Sequence, residues 1–535
     1  MRNKYIIIGF LGIICFVLCG CSENKSFKVT VYGGSEQLSG SMTLIERGSH
    51  NILIDCGSYY PEGNDLSYES RKADAVKLSL SFPFDPSDID AVILTHSHLD
   101  HTGRIPLLVK QGFSGKIYCS SATLQILKEM LFMAIRYGQD DRVWCFSSKS
   151  IKPGFDGKNF VTAHWADCEF ENKIKSSNRK VFNGSREEGE KKFGCSFNPC
   201  KACATIKLNT ILKLIESVDY NMKIKLYDGM VIEFFEAGHI PGAASIAITL
   251  LEANDKNEKY IFSGDLGNDL SHIQSGPNPA PEAAALWIES TYGGIVRDSN
   301  LVDQIIEFQQ EIASSVSKGD VVWIPSYALD RTQKVLFEIN EAIQKGFLSP
   351  NVPIFCPSPT ADRLTKLYNS EQKENRNHWF RPDIYRNVKI FPPYQMELPD
   401  NIPHPSIMIT TGGMMDMGYS LSLLDKIIPD ENAHIFLVGY QDPFSPGGQL
   451  KEKKGEIEFD GRSIPVRAKI HNYSVFSAHA DASDIVNWLK NQDKNSVKIY
   501  LVHGDRARLE AQENYLKRVG FKNVEIAKKG LTYKF

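Results

Sequence analysis

The sequence predicts an α/β protein on three observations. Short Val- and Ile-rich runs recur along the chain, amphipathic helical patterns fall between them, and several runs stop abruptly at a histidine or an aspartate. Phe27 to Tyr32 and Ser41 to Asp55 alternate and cluster like strands, and "LIDCG" ends the second at a glycine turn. "AVILT" and "KIYCSS" read as further strands, and "ATLQILKEMLFMAIRYG" follows with helical spacing. "VIEFFEAGH", "SIAITLLE" and "YIFSGD" return to strand character. The order lacks the regular strand and helix alternation of a barrel, and no internal repeat or low-complexity tract is visible.

A chain of 535 residues with 42% hydrophobic and 23% charged residues can bury an ordinary core, and its length implies two or three domains. The formal net charge of -3 is no footprint of a general nucleic-acid or acidic-membrane binder, although a local basic groove remains compatible with it. Arg2 and Lys4 precede an apolar run from Tyr5 to Gly20, the arrangement of a secretory signal and short for a membrane span. Leu18-Cys19-Gly20-Cys21 resembles the lipobox of bacterial lipoproteins. The expectation is therefore a signal peptide over residues 1–20, lipidation of Cys21 and a tether over 21–26. Such a protein would be lipid-anchored in the bacterial cell envelope, facing outside the cytoplasm. The remainder has 59 basic and 64 acidic residues, a net charge of -5.

The stretch "AVILTHSHLDHTGRIP" crowds His96, His98, Asp100 and His101 directly after an apolar strand. Histidines two apart, leaving a strand, can be turned toward a common point, while Asp100 and His101 add an oxygen and another imidazole. Neutral imidazole and carboxylate are the ligand set of zinc and related divalent metals. A helical His-Glu-x-x-His arrangement is excluded because that spacing is absent.

This pattern resembles the metallo-β-lactamase fold, an αββα sandwich with metals at the ends of its strands. Asp55 in "ILIDCG" matches the first motif, which in the family is an orienting carboxylate rather than a ligand. His239 in "EAGHIPGAAS" matches the third and Asp265 in "FSGDLGN" the fourth, each again after an apolar strand. "IESTYGG", "VFSAHAD" and "IYLVHGD" resemble motifs A, B and C of the β-CASP nucleases, which carry an α/β domain inserted into that sandwich. "IPSYALDRTQKVL", "ITTGGMMDMG" and "FLVGYQDPFSPGGQL" look like segments of the inserted domain. The resemblance implies that residues 27–295 begin the metallo-β-lactamase core, 296–463 form the β-CASP domain and 464–535 complete the core.

By the same resemblance one metal would be held by His96, His98 and His239, and a second by Asp100, His101 and His503, with Asp265 bridging. Two zinc or other divalent ions so placed would activate water for in-line attack on a phosphoryl group. His479 would serve as general acid, with Glu289 holding its imidazole and Asp100 joining the catalytic set. Arg331 and Ser326 are candidate phosphate contacts. His50, His272, His378, His404, His434 and His471 lack such context and read as surface or core residues.

Two departures from the family pattern bear on the substrate. Asp330 stands where Gly commonly precedes the arginine, and Tyr419-Ser420 replaces a Gly-Arg or Ser-Arg pair. A long segment from about 138 to 207 contains Cys145, His164, Cys168, Cys195, Cys200 and Cys203, with "CSFNPCKAC" giving Cys-x4-Cys-x2-Cys. In an exported protein that pattern suits disulfides first and a structural zinc second. The expected function is metal-dependent hydrolysis of phosphodiester bonds in RNA. The alternative is a non-nuclease hydrolase of the same fold, or a ligand-binding envelope lipoprotein.

Overall fold

A computed structural model describes residues 26–62, 68–137, 201–227, 229–251, 257–268, 273, 275–297, 301–374, 402–452, 455–459 and 461–535. The expected signal segment, Cys21, and Cys145, His164, Cys168, Cys195 and Cys200 lie outside the described residues.

The chain first lays down β1 (Phe27–Gly33), β2 (Met42–Arg47), β3 (His50–Ile54), β4 (Ala91–Ile93), β5 (Lys116–Ser120) and β6 (Ile215–Val218). It continues with β7 (Lys223–Tyr227), β8 (Met230–Glu236), β9 (Ala244–Leu250), β10 (Glu258–Phe262) and β11 (Ala285–Glu289). A separate sheet region follows, with β12 (Val321–Ser326), β13 (Ile354–Phe355), β14 (Ser406–Thr411), β15 (Ala433–Leu437), β16 (Glu456–Phe459), β17 (Arg462–Pro465) and β18 (Lys469–Asn472). The last strands are β19 (Lys498–Val502), β20 (Asn523–Ile526) and β21 (Thr532–Lys534).

The first sheet runs β21-β1-β2-β3-β4-β5-β6 and the second β20-β19-β11-β10-β9-β8-β7. The closing strands are thus divided between both sheets, so the segment after β18 completes the same sandwich that β1 to β11 began. Alternation explains the layering. Along β9, Ile246, Ile248 and Leu250 face the first sheet, while Ala247 joins the layer on the outer side. Along β4, Ala91 and Ile93 point into the sandwich and Val92 and Leu94 point out against Ile105, Leu108, Leu127 and Leu131. Both faces are covered, which is why "AVIL" is continuously apolar rather than alternating. Trp287 fills the centre, stacked between Phe262 and Tyr500 at centroid distances of 4.7 and 4.9 Å. Truncating such a side chain to alanine costs about 3–5 kcal/mol.

The inserted sheet runs β13-β14-β12-β15-β18, with β16 and β17 forming a hairpin. Val322 and Ile324 of β12 pack with Leu301, Ile305 and Val335 from two helices, and Val321 and Trp323 pack on the opposite face with Leu424 and Leu450. Since β18 pairs in parallel with β15, this sheet holds the chain through Asn472, past the expected division between 463 and 464. The inserted domain is latched to the sandwich by Arg71, whose guanidinium grips Asp442 through two bonds of 2.7 and 3.0 Å. Both side chains are buried. Losing one partner would strand a charge away from water at about 3–5 kcal/mol.

Candidate active site

Most site residues sit at or just past strand ends, some in backbone of unusual shape, while Asp100 and His101 lie on the short helix Leu99–Thr102. Asp55 follows β3 with φ 62° and His503 follows β19 with φ 52°, conformations costly for residues with a Cβ. Gly57 lets the loop after β3 approach the histidine-rich loop, because a Cβ there would lie 1.5 Å from the carbonyl oxygen of Asp100. Each turn thereby delivers a side chain to one edge of the sandwich.

His96, His98, His239 and Asp265 form one group of converging donors, and Asp100, His101, Asp265 and His503 form another. Asp265 belongs to both. In the first group, Nδ1 of His98 lies 3.0 Å from Nε2 of His96 and 3.2 Å from Nε2 of His239. Oδ2 of Asp265 lies 3.5 and 3.6 Å from those Nε2 atoms. In the second, Nε2 of His101 is 3.3 Å from Nε2 of His503 and 3.2 Å from Oδ1 of Asp265. Oδ2 of Asp100 is 4.0 and 3.7 Å from those two nitrogens. A point equidistant from the His101, His503 and Asp100 atoms lies about 2.1 Å from each, within the range of a zinc–nitrogen or zinc–carboxylate bond. The donor set therefore fits a divalent cation in both identity and spacing.

Electrostatics divides the histidines. Burial pulls the pKa of His96 and His239 well below the ordinary imidazole value and lowers that of His98, which leaves their lone pairs unprotonated. Burial also opposes charge on His101 and His503, but Asp265 together with Asp55 outweighs it at His101. At His503, Asp265 and Asp100 raise the pKa to about 9. Asp265 is buried and Asp100 half-buried, yet the surrounding imidazoles hold both below the usual carboxylate range.

Asp55 stands behind this cluster. Its Oδ2 is 2.7 Å from Nδ1 of His101, so that ring can donate there and turn Nε2 toward Asp265. Asp55 itself is pinned by the backbone N–H and hydroxyl of Thr95, each at 2.8 Å. His479 approaches from the other side, its Nδ1 3.0 Å from Oε1 of Glu289. Glu289 is fully buried and also accepts the backbone N–H groups of Leu266 and Thr291 at 2.8 and 3.1 Å.

Sequence reading missed the residues that brace these groups. Thr95 contacts Asp55, His96 and His101, and Thr291 places its hydroxyl 3.1 Å from Nδ1 of His503. Asn268 and Arg297 both donate to the backbone carbonyl of His479, at 3.0 and 2.5 Å. Only proximity to "HSHLDH", "SGD" and "ESTYGG" could have pointed to them. Ser326 requires correction as a cleft residue: it is 1% exposed, and its hydroxyl donates to the Tyr327 carbonyl. Arg331 instead bonds the carbonyl of Val438 through Nη1. Asp330 occupies the glycine-favouring conformation with φ 65° and pairs with the buried Lys334 at 2.8 Å.

Residues 36–292 match the metallo-β-lactamase superfamily, 332–450 the Beta-Casp domain, and 463–527 the Zn-dependent metallo-hydrolase RNA specificity domain. The chain is 25% identical over 497 residues to Ribonuclease TTHA0252 of Thermus thermophilus, covering 90% of this chain and 94% of that protein. It is 27% identical over 484 residues to an RNase J-like protein of Methanocaldococcus jannaschii, covering 89% and 92%. A third relative, transcription termination factor FttA of Methanosarcina mazei, is 23% identical over 501 residues, covering 90% and 68%. These relatives overturn the expected placement in the envelope facing outside the cytoplasm, since their names describe work on RNA and transcription. No helix among the described residues is long and apolar enough to cross a membrane. The chain carries a metallo-β-lactamase domain with an inserted Beta-Casp domain, followed by an RNA specificity domain of the Zn-dependent metallo-hydrolases.

Proposed function

We propose that the protein is a metal-dependent ribonuclease that cleaves RNA phosphodiester bonds at this site. The observation that carries the reading is the position of Asp265, shared between two nitrogen-rich donor groups and 4.0 Å from the His479 ring that Glu289 holds. His96, His98 and His239 would hold one zinc ion, and Asp100, His101 and His503 a second, with Asp265 between them. Such a pair supplies a nucleophile at neutral pH and neutralises charge developing on the phosphoryl group.

The chain's own groups account for the rest. Glu289 accepts from Nδ1 of His479 and fixes the direction of the ring, leaving Nε2 to carry a proton to the departing sugar oxygen. The carbonyl bonds from Asn268 and Arg297 keep that residue from swinging away. Asp55 and Thr95 fix the ring of His101. Tyr60 and Tyr327 lie close enough to Asp100 to feel its charge, and both are partly exposed, as is Tyr440, whose carbonyl accepts from Tyr327 at 3.2 Å. Aromatic faces beside a hydrolytic centre suit stacking of unpaired bases.

The test is hydrolysis of labelled single-stranded RNA, duplex RNA, single-stranded DNA and a generic phosphodiester, each with and without chelator. Chelator-sensitive cleavage of RNA is expected. Cleavage of the generic diester alone would transfer the site to a non-nuclease hydrolase, and RNA cleavage that persists in chelator would overturn the metal-dependent reading.

A further inference from the structure

A second histidine cluster lies in the inserted domain. His434 is in β15 and His471 in the neighbouring edge strand β18, where the register sets Phe436 opposite His471. Phe436 stacks on the His471 ring at a centroid distance of 4.5 Å, and the two imidazoles lie within 10° of parallel. Nδ1 of His434 and Nε2 of His471 are 3.0 Å apart. From the helix Leu301–Ser317, Glu311 brings Oε1 to 3.9 Å from the first nitrogen and 4.0 Å from the second.

A hydrogen bond between the rings would satisfy the two nitrogens but would not account for the carboxylate facing them beyond hydrogen-bond range. The three separations do account for it. They define a triangle whose equidistant point lies about 2.1 Å from every corner, matching the bond lengths of zinc to imidazole and carboxylate, about 2.0–2.2 Å. The same construction on His101, His503 and Asp100 gives the same radius.

The surroundings agree. Nε2 of His434, at the far side of its ring, is 3.1 Å from Oδ2 of Asp320, which can accept its N–H and leave the lone pair on Nδ1. Carboxylates commonly back metal-bound histidines in this way. The Ser315 hydroxyl, 2.9 Å from Nδ1 and 2.8 Å from the Glu311 carbonyl, can donate to that nitrogen in the metal-free site and turn its proton to the carbonyl when a cation takes the lone pair. Lys469 stands beside Asp320, 3.3 Å from Nε2 and so across the ring from Nδ1. The Glu311 side chain is 35% exposed, so solvent can complete the coordination.

We propose that Glu311, His434 and His471 form a further divalent-metal site, suited to zinc, which clasps the edge strand β18 and the helix Leu301–Ser317 to β15. β18 leads directly into the segment carrying His479, so the clasp anchors the approach to the active site.

The test is zinc content of the full-length His96→Ala/His503→Ala chain after loading and desalting, with melting curves to verify folding. Zinc should remain, and adding His471→Asn should lower its content by one per chain. Asp320→Asn in the same background should weaken binding by roughly 10–100-fold. A folded background chain without zinc, or a zinc content unchanged by His471→Asn, would overturn the site. Neither readout depends on turnover, so failure of the ribonuclease reading leaves this test intact.

Discussion

The two histidine clusters reach similar donor spacing by opposite routes. At the sandwich edge, the ligand candidates stand on loops just past strand ends or, for Asp100 and His101, on the single helical turn Leu99–Thr102, and His503 adopts a costly positive φ to get there. In the inserted domain, His434 and His471 sit within regular strands and Glu311 within a helix, with no such strain at any of the three. The first arrangement brings two donor groups to one carboxylate, Asp265. The second holds one set of donors against packed secondary structure. Loops make a centre that reacts, and strands make one that fastens.

The largest effects should fall on the loop-borne centre. Asp265→Ala removes the carboxylate common to both donor groups, and hydrolysis should drop by at least about 10³-fold with loss of bound metal. Assay and metal analysis of the same preparation check this, and retained metal would show that the two groups do not depend on Asp265. His479→Ala should lower kcat by roughly 10²–10⁴-fold with metal content unchanged. Metal lost with His479 would move that residue into the ligand set. Asp55→Asn should act more gently, weakening metal affinity by roughly 10–100-fold by loosening His101, as competition with a chelator would show.

The smallest effect compares carboxylates with and without cationic neighbours. Asp265 is ringed by imidazoles, whereas Glu236, three residues before His239, is pushed by burial from the ordinary 4.5 up to about 7. Its folded pKa is raised, so the stability associated with the proton is fully present below pH 4.5 and is lost as pH rises through 7. Glu236→Gln should therefore be more stable than the wild type at pH 8, by at most about 3 kcal/mol in unfolding free energy, and match it near pH 4.5. Equal melting at both values would mean that the carboxylate is better solvated than its position indicates.

The same contrast explains what could be read from sequence. A loop that gathers ligands does so over a few consecutive residues, so "THSHLDH" announced a metal directly, and the isolated His239, Asp265 and His503 could be placed because each follows an apolar strand. Strand alternation likewise made the α/β character legible. Glu311, His434 and His471 belong to three distant elements whose adjacency is created by the parallel register of β15 and β18, and nothing local records that register. Thr95, Thr291, Asn268 and Arg297 escaped for a related reason: their roles depend on hydrogen bonds whose partners only the fold brings near. Ser326 failed in the other direction, since a motif position does not reveal that a hydroxyl is turned inward.

His101 and His503 lie 402 residues apart in the chain, and the strands beside His503 complete both sheets of the sandwich. During synthesis the histidine-rich loop therefore emerges from the ribosome long before its partner. Throughout that interval the donor group of Asp100, His101 and Asp265 lacks His503 and stays incomplete, while His96, His98, His239 and Asp265 are already all present in the chain.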